Sequence, residues 1–206
     1  MKNKFLSSLR YPAAVGRLLF GAVLLLCAGA GAQELLKNGN FEAPFPVSDP
    51  TAGWTLVYAD GGPSDFSIAG QSTEASRCCG GHGAHLRGNN WNWAHAYFKQ
   101  VVTNLTEGAK YTLNTQKMKT AFQYSEGSPP NLQCYATMIS GASSNVVHGY
   151  STNIGVYSMM LTCSATREIV IELHMSHRPL SNISAEDFKP AKCTAWFDDF
   201  SLTQTP

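Results

Sequence analysis

Tryptophan and asparagine alternate in Asn89-Asn90-Trp91-Asn92-Trp93, a combination suited to sugar. Indole rings can stack on the apolar face of a pyranose while amides bond its hydroxyls, the mostly apolar, few-polar lining of binding clefts in general. In an extended chain Trp91 and Trp93 point the same way. A core strand would not carry so many Asn residues, so Asn90 and Asn92 are read with them as an exposed carbohydrate-binding loop; the bland alternative is a pair of indoles capping the core. Arg87, Tyr97, Gln123 and Tyr124 are second candidates for the same role. Asp198 is the other chemical anomaly. It sits in Cys193-Thr194-Ala195-Trp196-Phe197-Asp198-Asp199-Phe200-Ser201-Leu202, which reads as a strand. Strict alternation puts Trp196, Asp198, Phe200 and Leu202 on one apolar face and Asp199 and Ser201 on the other. A carboxylate in register with core residues needs a cation, a metal or several donors beside it. It is either a ligand for a hard cation or an Asp satisfied by backbone N–H groups.

Other groupings are weaker. Cys78, Cys79, His82 and His85 are soft and borderline ligands within eight residues, yet their spacing fits no standard zinc or copper pattern. Glycoside hydrolysis needs two carboxyl groups flanking one bond, and the acids here are scattered; Glu168 and Glu172 share a strand face but look solvated. No serine sits in a nucleophile-elbow context. Catalysis is therefore the least supported reading.

The elements that would position these groups are strands. Residues 94–102 alternate Ala94, Ala96, Phe98, Gln100 and Val102 against His95, Tyr97, Lys99 and Val101. Tyr111 and Leu113 oppose Thr112 and Asn114 in a strand over 110–118. Residues 131–139 and 156–163 are further strands, and a Gly/Ser/Asn loop over Ser140–Asn145 breaks the run between them. From Arg167 to Met175, Ile169, Ile171, Leu173 and Met175 face inward, while Glu168, Glu172 and His174 face water, as in a half-buried antiparallel strand. Turn residues crowd 43–75, with short strands at Trp54–Tyr58 and Phe66–Ile68 and Trp54 as a core plug. After His177 comes a long irregular loop with one helical turn over 185–188. Short strands at even spacing, without an amphipathic helix, imply an all-β protein: an antiparallel β-sandwich or jelly roll.

Length and composition set the frame. The 206 residues suit one domain, residues 33–206. Residues 1–32 read as a bacterial-type signal peptide, with Lys2, Lys4, Arg10 and Arg17 leading an apolar run over 18–28 and Ala30-Gly31-Ala32 before the cut; a retained anchor is the alternative. Four of the 15 basic residues and none of the 14 acids lie in that segment, leaving 11 basic against 14 acidic side chains, a net charge of −3. No basic stripe survives, which argues against nucleic acid as a partner. No second apolar run suits a membrane span after cleavage. The expected location is secreted, extracellular or periplasmic. The two sequons, at Asn104 and Asn182, are discounted for a bacterial export route. Beyond the signal remain Cys78, Cys79, Cys134, Cys163 and Cys193, an odd number in an oxidising compartment. Cys134–Cys163 is a plausible cross-strand bond, and Cys193 with Cys78 or Cys79 a second, although connectivity does not follow from sequence.

Five motifs fall in a telling order: Leu35-Leu36-Lys37-Asn38-Gly39-Asn40-Phe41-Glu42, Gly53-Trp54, Gly83-Ala84-His85-Leu86-Arg87, Gln100-Val101 leading to Leu105-Thr106-Glu107-Gly108-Ala109-Lys110-Tyr111-Thr112-Leu113, and Trp196-Phe197-Asp198-Asp199-Phe200-Ser201-Leu202. Over about residues 35 to 203 the chain resembles the galactose-binding-like jelly-roll carbohydrate-binding modules of families four and nine. The resemblance implies that first and last strands pair and that a structural calcium joins them, with Glu42 and Asp198 as carboxylate ligands and backbone carbonyls near Gly39. That family often draws a further ligand from the stretch before Gly83, where this chain has no acid nearer than Glu74. A Lys or Arg paired with Asp198 is the alternative to the metal. The implied role is a secreted, non-catalytic module holding a polysaccharide or other glycan, of a kind that usually accompanies glycoside hydrolases. A structural or adhesive surface protein of the same fold, without sugar binding, is the second reading.

Overall fold

The computed structural model describes residues 33–43, 53–72, 81–88, 94–123, 131–149, 155–178 and 192–206. Among these residues ten strands run in chain order: β1 (Thr55–Asp60), β2 (Phe66–Ser72), β3 (Gly83–Gly88), β4 (Ala94–Val102), β5 (Lys110–Gln123), β6 (Asn131–Ser140), β7 (Ser143–His148), β8 (Gly155–Thr162), β9 (Ile169–Arg178) and β10 (Lys192–Gln204). They form two five-stranded antiparallel sheets, ordered β1-β4-β9-β6-β7 and β2-β3-β10-β5-β8. The architecture is the β-sandwich jelly roll expected from the strand spacing.

The alternation read in β4 and β9 describes the first sheet. Ala96, Phe98, Ile169, Ile171, Leu173 and Met175 turn inward and are buried. From the second sheet come Leu86, Tyr111, Leu113, Met118, Ala195 and Phe197. Phe98 and Phe197 meet edge to face across the sandwich, ring centroids 6.4 Å apart at 85°. Full burial of one such side chain stabilises the fold by about 1.5–3 kcal/mol. Trp54 is the expected plug: fully buried, it packs on Phe41 and donates from Nε1 to the Asn38 carbonyl at 3.0 Å. Gln100, an amide on the apolar face of β4, is explained by the N-terminal segment. Its Oε1 accepts from Lys37 N–H (2.7 Å) and its Nε2 donates to Lys37 O (2.9 Å), so it substitutes for a neighbouring strand. Gln71 acts likewise, donating from Nε2 to Phe41 O at 2.6 Å.

Three expectations need correcting. The Gly/Ser/Asn stretch after Ser140 is a tight hairpin rather than a loop: Ser140 pairs with Ser143, Gly141 takes φ 58, and β7 follows. A left-handed glycine at the first turn position suits the twist of a two-residue hairpin. In β10 the core side is held by Ala195 and Phe197 and then by Phe200 and Leu202. Trp196 does not share the face of Phe200, because left-handed Asp199 (φ 52) interrupts the extended backbone and shifts the alternation by one residue, while the register against β5 stays continuous. The facing strand slips too, from Leu113 and Thr115 inward to Met118 and Thr120 inward. Cys134 and Cys163 are free, buried thiols. Cys163 adjoins Ser164, whose N–H donates to Ser140 Oγ at 2.9 Å; Cys134 lies six residues before Ser140 on β6, about 20 Å of strand away. Burial raises the Cys134 thiol above its ordinary range and keeps it protonated.

Candidate functional site

Outward positions of the first sheet alternate with the core positions, and cross-strand register aligns them in rows. One row holds Val57 of β1, Tyr97 of β4, His174 of β9, Tyr135 of β6 and His148 of β7, each directly opposite the next. Four rings on four successive strands, spaced about 4.8 Å apart, make a band about 14 Å long across the sheet. Tyr97 and His174 have centroids 4.6 Å apart, His174 and Tyr135 4.4 Å, Tyr135 and His148 5.5 Å. Tyr135 and His174 are stacked within 10° of parallel. Their ring normals therefore run along the row, so the rings stand upright on the sheet and turn their edges outward. Such directly opposed aromatic pairs support the sheet as well as lining it.

Polar groups flank the band. His95 Nε2 lies 2.9 Å from His174 Nδ1, and His174 Nε2 lies 3.1 Å from Glu172 Oε2. A carboxylate only accepts, so His174 donates from Nε2 and its Nδ1 accepts from His95 Nε2–H. Burial, helped by His95, drives His174 down to about 3, and burial lowers His95 as well. Both rings are neutral in neutral solution. Lys99 Nζ stands 3.9 Å from the other oxygen of Glu172. Burial first, and Glu172 second, raise the phenols of Tyr97 and Tyr135, which remain hydrogen-bond donors. His174 does not face water as its strand pattern suggests: it is 5 % exposed, enclosed by the two tyrosines. Of the sequence-based candidates among the described residues, Tyr97 belongs to this band. Tyr135, His148, His95 and His174 became visible through register.

The remaining candidates lie elsewhere. Trp91, Trp93, Asn90, Asn92 and Tyr124 fall outside the described residues, as do residues 1–32, the turn over 185–188, Cys78 and Cys79. Arg87 is on β3 of the second sheet and so does not join Tyr97. His85, also on β3, is fully buried and stacked on Trp196 at 5.3 Å. His82 is bound to Glu42: its N–H donates to Oε1 (2.9 Å) and its Nδ1 lies 3.1 Å from Oε2. Left-handed Gly81 (φ 76) permits that approach, since any Cβ there would collide with the carboxylate. The His82 contacts lower the Glu42 pKa, backbone N–H first. No cluster of three or more His, Cys, Asp or Glu suited to a metal occurs among the described residues. Clefts of about 520 and 400 Å³ open along the N-terminal segment, but neither has a Tyr, Trp or His in its wall.

Chain ends do meet. Leu35 N–H donates to Leu202 O (3.0 Å) and Phe200 N–H to Gly39 O (2.9 Å). Asp198, 1 % exposed, receives the Asp199 N–H at Oδ1 (2.8 Å) and has Lys117 Nζ 3.5 Å from Oδ2. Lys117 also reaches Asp199 Oδ2 at 2.7 Å. Burial lifts Asp198 to about 6 despite these partners; Asp199 above all, with Asp198, raises Lys117. Calcium needs six to eight oxygens at 2.3–2.6 Å. Here the Gly39 carbonyl serves Phe200, both Glu42 oxygens serve His82, and an ammonium already stands at Asp198. This donor set fits calcium poorly.

No protein-family model matches the chain, and no curated protein matches its sequence. Solved structures do. TmCBM61, a structure in complex with β-1,4-galactotriose, aligns over 84% of this chain and 100% of its own, with TM-score 0.55 and 13% identity. The two share the β-sandwich jelly-roll fold. The enzymatically active domain of bacteriophage CBA120 tailspike protein 4 aligns over 84% of this chain but 21% of its own, with TM-score 0.53 and 12% identity. A Clostridium thermocellum xylanase 10B fragment, CBM22-1 with GH10, complexed with xylohexaose, aligns over 85% of this chain and 29% of its own, with TM-score 0.47 and 13% identity. No helix among the described residues is long and apolar enough to cross a membrane.

Proposed function

We propose that this chain is a secreted, non-catalytic glycan-binding module and that the outer face of its first sheet holds the sugar chain. The observation behind it is the in-register row Tyr97–His174–Tyr135–His148. A band of ring edges with donors and acceptors beside it offers the mixed apolar and polar lining of binding sites in general, and it lies on a sheet exterior whose inner side already completes the core. The fold shared with TmCBM61, whose structure carries β-1,4-galactotriose, agrees with this class of ligand. The loop with Trp91 and Trp93 would add a second contact.

A panel of insoluble polysaccharides and a glycan array test it. The intact chain is expected to be retained on at least one glycan, and Tyr135→Ala to lower that retention at least tenfold. Retention lost with Trp91→Ala and Trp93→Ala but unchanged by Tyr135→Ala and Tyr97→Ala would move the site from the sheet to the loop. No retention on any glycan would leave the structural or adhesive reading of the fold.

A further inference from the structure

We propose that Lys117 is the permanent cation of the junction between chain ends, holding by an ammonium what a bound dication would otherwise hold, so that the fold is indifferent to calcium. This does not depend on glycan binding.

Several features of the strands converge on that ammonium. Consecutive strand residues normally point to opposite faces, so Asp198 and Asp199 should not share a partner. The left-handed backbone at Asp199 (φ 52) removes that obstacle and lets both carboxylates reach Lys117 Nζ, at 3.5 and 2.7 Å. Lys117 is brought there by register, directly opposite Asp198 on β5. Thr115 fixes the spot: its Oγ1 donates to Asp198 O (3.0 Å) and accepts Lys117 N–H (3.1 Å). Left-handed Asn38 and Phe41 (φ 49 and 52) stand on the adjoining N-terminal segment, so three of the five such non-glycine residues among those described gather at this junction. Strain of that kind persists only where its surroundings over-determine it. A dication bound to Asp198 Oδ2 would lie within a few ångströms of the ammonium, and like charges so close repel strongly. Either the lysine or the metal can hold this position.

Thermal unfolding of the intact chain decides between them. The midpoint is expected to be the same in EDTA and in millimolar calcium chloride. Lys117→Gln should lower it by roughly 5–10 °C, Lys117→Arg by much less. If Lys117→Gln fails to fold, the pair Lys117→Gln with Asp198→Asn, which removes the stranded charge, should fold again. A wild-type midpoint that falls in EDTA and returns with calcium would overturn the proposal. So would a Lys117→Gln midpoint equal to that of the wild type, or a double variant no more stable than the single one.

Discussion

The two sheets face one core in the same way and treat their outer polar groups in opposite ways. On the second sheet Asp198 and His85 are sealed, and Asp198 is neutralised by Lys117. On the first, His95, Tyr97, Tyr135 and Glu172 stay half-buried, chained to one another through His174, with edges still turned outward. Sealed polar groups must be satisfied internally and so fix a geometry. Half-open ones keep bonding capacity for something outside. On the function proposed above, one exterior serves the fold and the other contact.

The largest expected difference concerns two lysines. Lys117→Met strands a buried carboxylate and should cost about 3 kcal/mol, at the low end for a broken buried pair because Lys117 keeps 26% of its side chain in water. Lys99→Met, on the first sheet, removes a looser pair at 3.9 Å with a 37% exposed lysine and should cost less than about 1 kcal/mol. Urea unfolding of both variants checks this; equal losses would erase the distinction between the two exteriors.

Acid comes next. An unfolded histidine takes a proton near pH 6.5, whereas folded His174 refuses it until about 3. The unfolded state therefore binds the extra proton between these values, and stability falls as pH falls through that window, by about 1.4 kcal/mol per pH unit. Asp198, held up to about 6, acts the other way between 3.8 and 6. Comparing wild type with His174→Gln isolates the histidine: the difference in unfolding free energy should shrink steadily with acid. A constant difference would mean that His174 is not sealed between its tyrosines.

The smallest effect on stability and the sharpest on contact belong to Tyr135→Phe. With the rings upright, the phenol edge rather than the ring face looks outward. Stability should stay within about 0.5 kcal/mol while glycan retention falls several-fold. Unaltered retention would mean that ring faces carry the contact.

How much of this could be read in the chain follows from what each feature depends on. Strands β4 and β9 were legible because each buries one side, and burial writes a period of two into the sequence. Strand β7 was not: Ser143 to Val146 are exposed, so nothing in Ser-Ser-Asn-Val alternates. Asp198 stood out as a buried acid, and its lysine alternative was visible in principle, but the backbone kink that joins Asp199 to the same ammonium depends on a dihedral angle. The ring row was hidden more deeply. Tyr97, Tyr135, His148 and His174 are outward residues of four strands, and only pairing register, set by distant turns and core packing, makes them neighbours. The cysteines show the converse: Cys134 and Cys163 suited a bond by type and separate strands, yet they sit toward different ends of the sandwich.

Side-by-side chain ends have a mechanical consequence. The N-terminal segment lies antiparallel to β10, with Leu35 on Leu202 and Gly39 on Phe200, so tension applied through Gln33 and Pro206 would peel them apart one bond at a time. Peeling yields at lower force than shearing a row of bonds together. Under that pull the seam is expected to give way first, leaving the ring-bearing sheet intact.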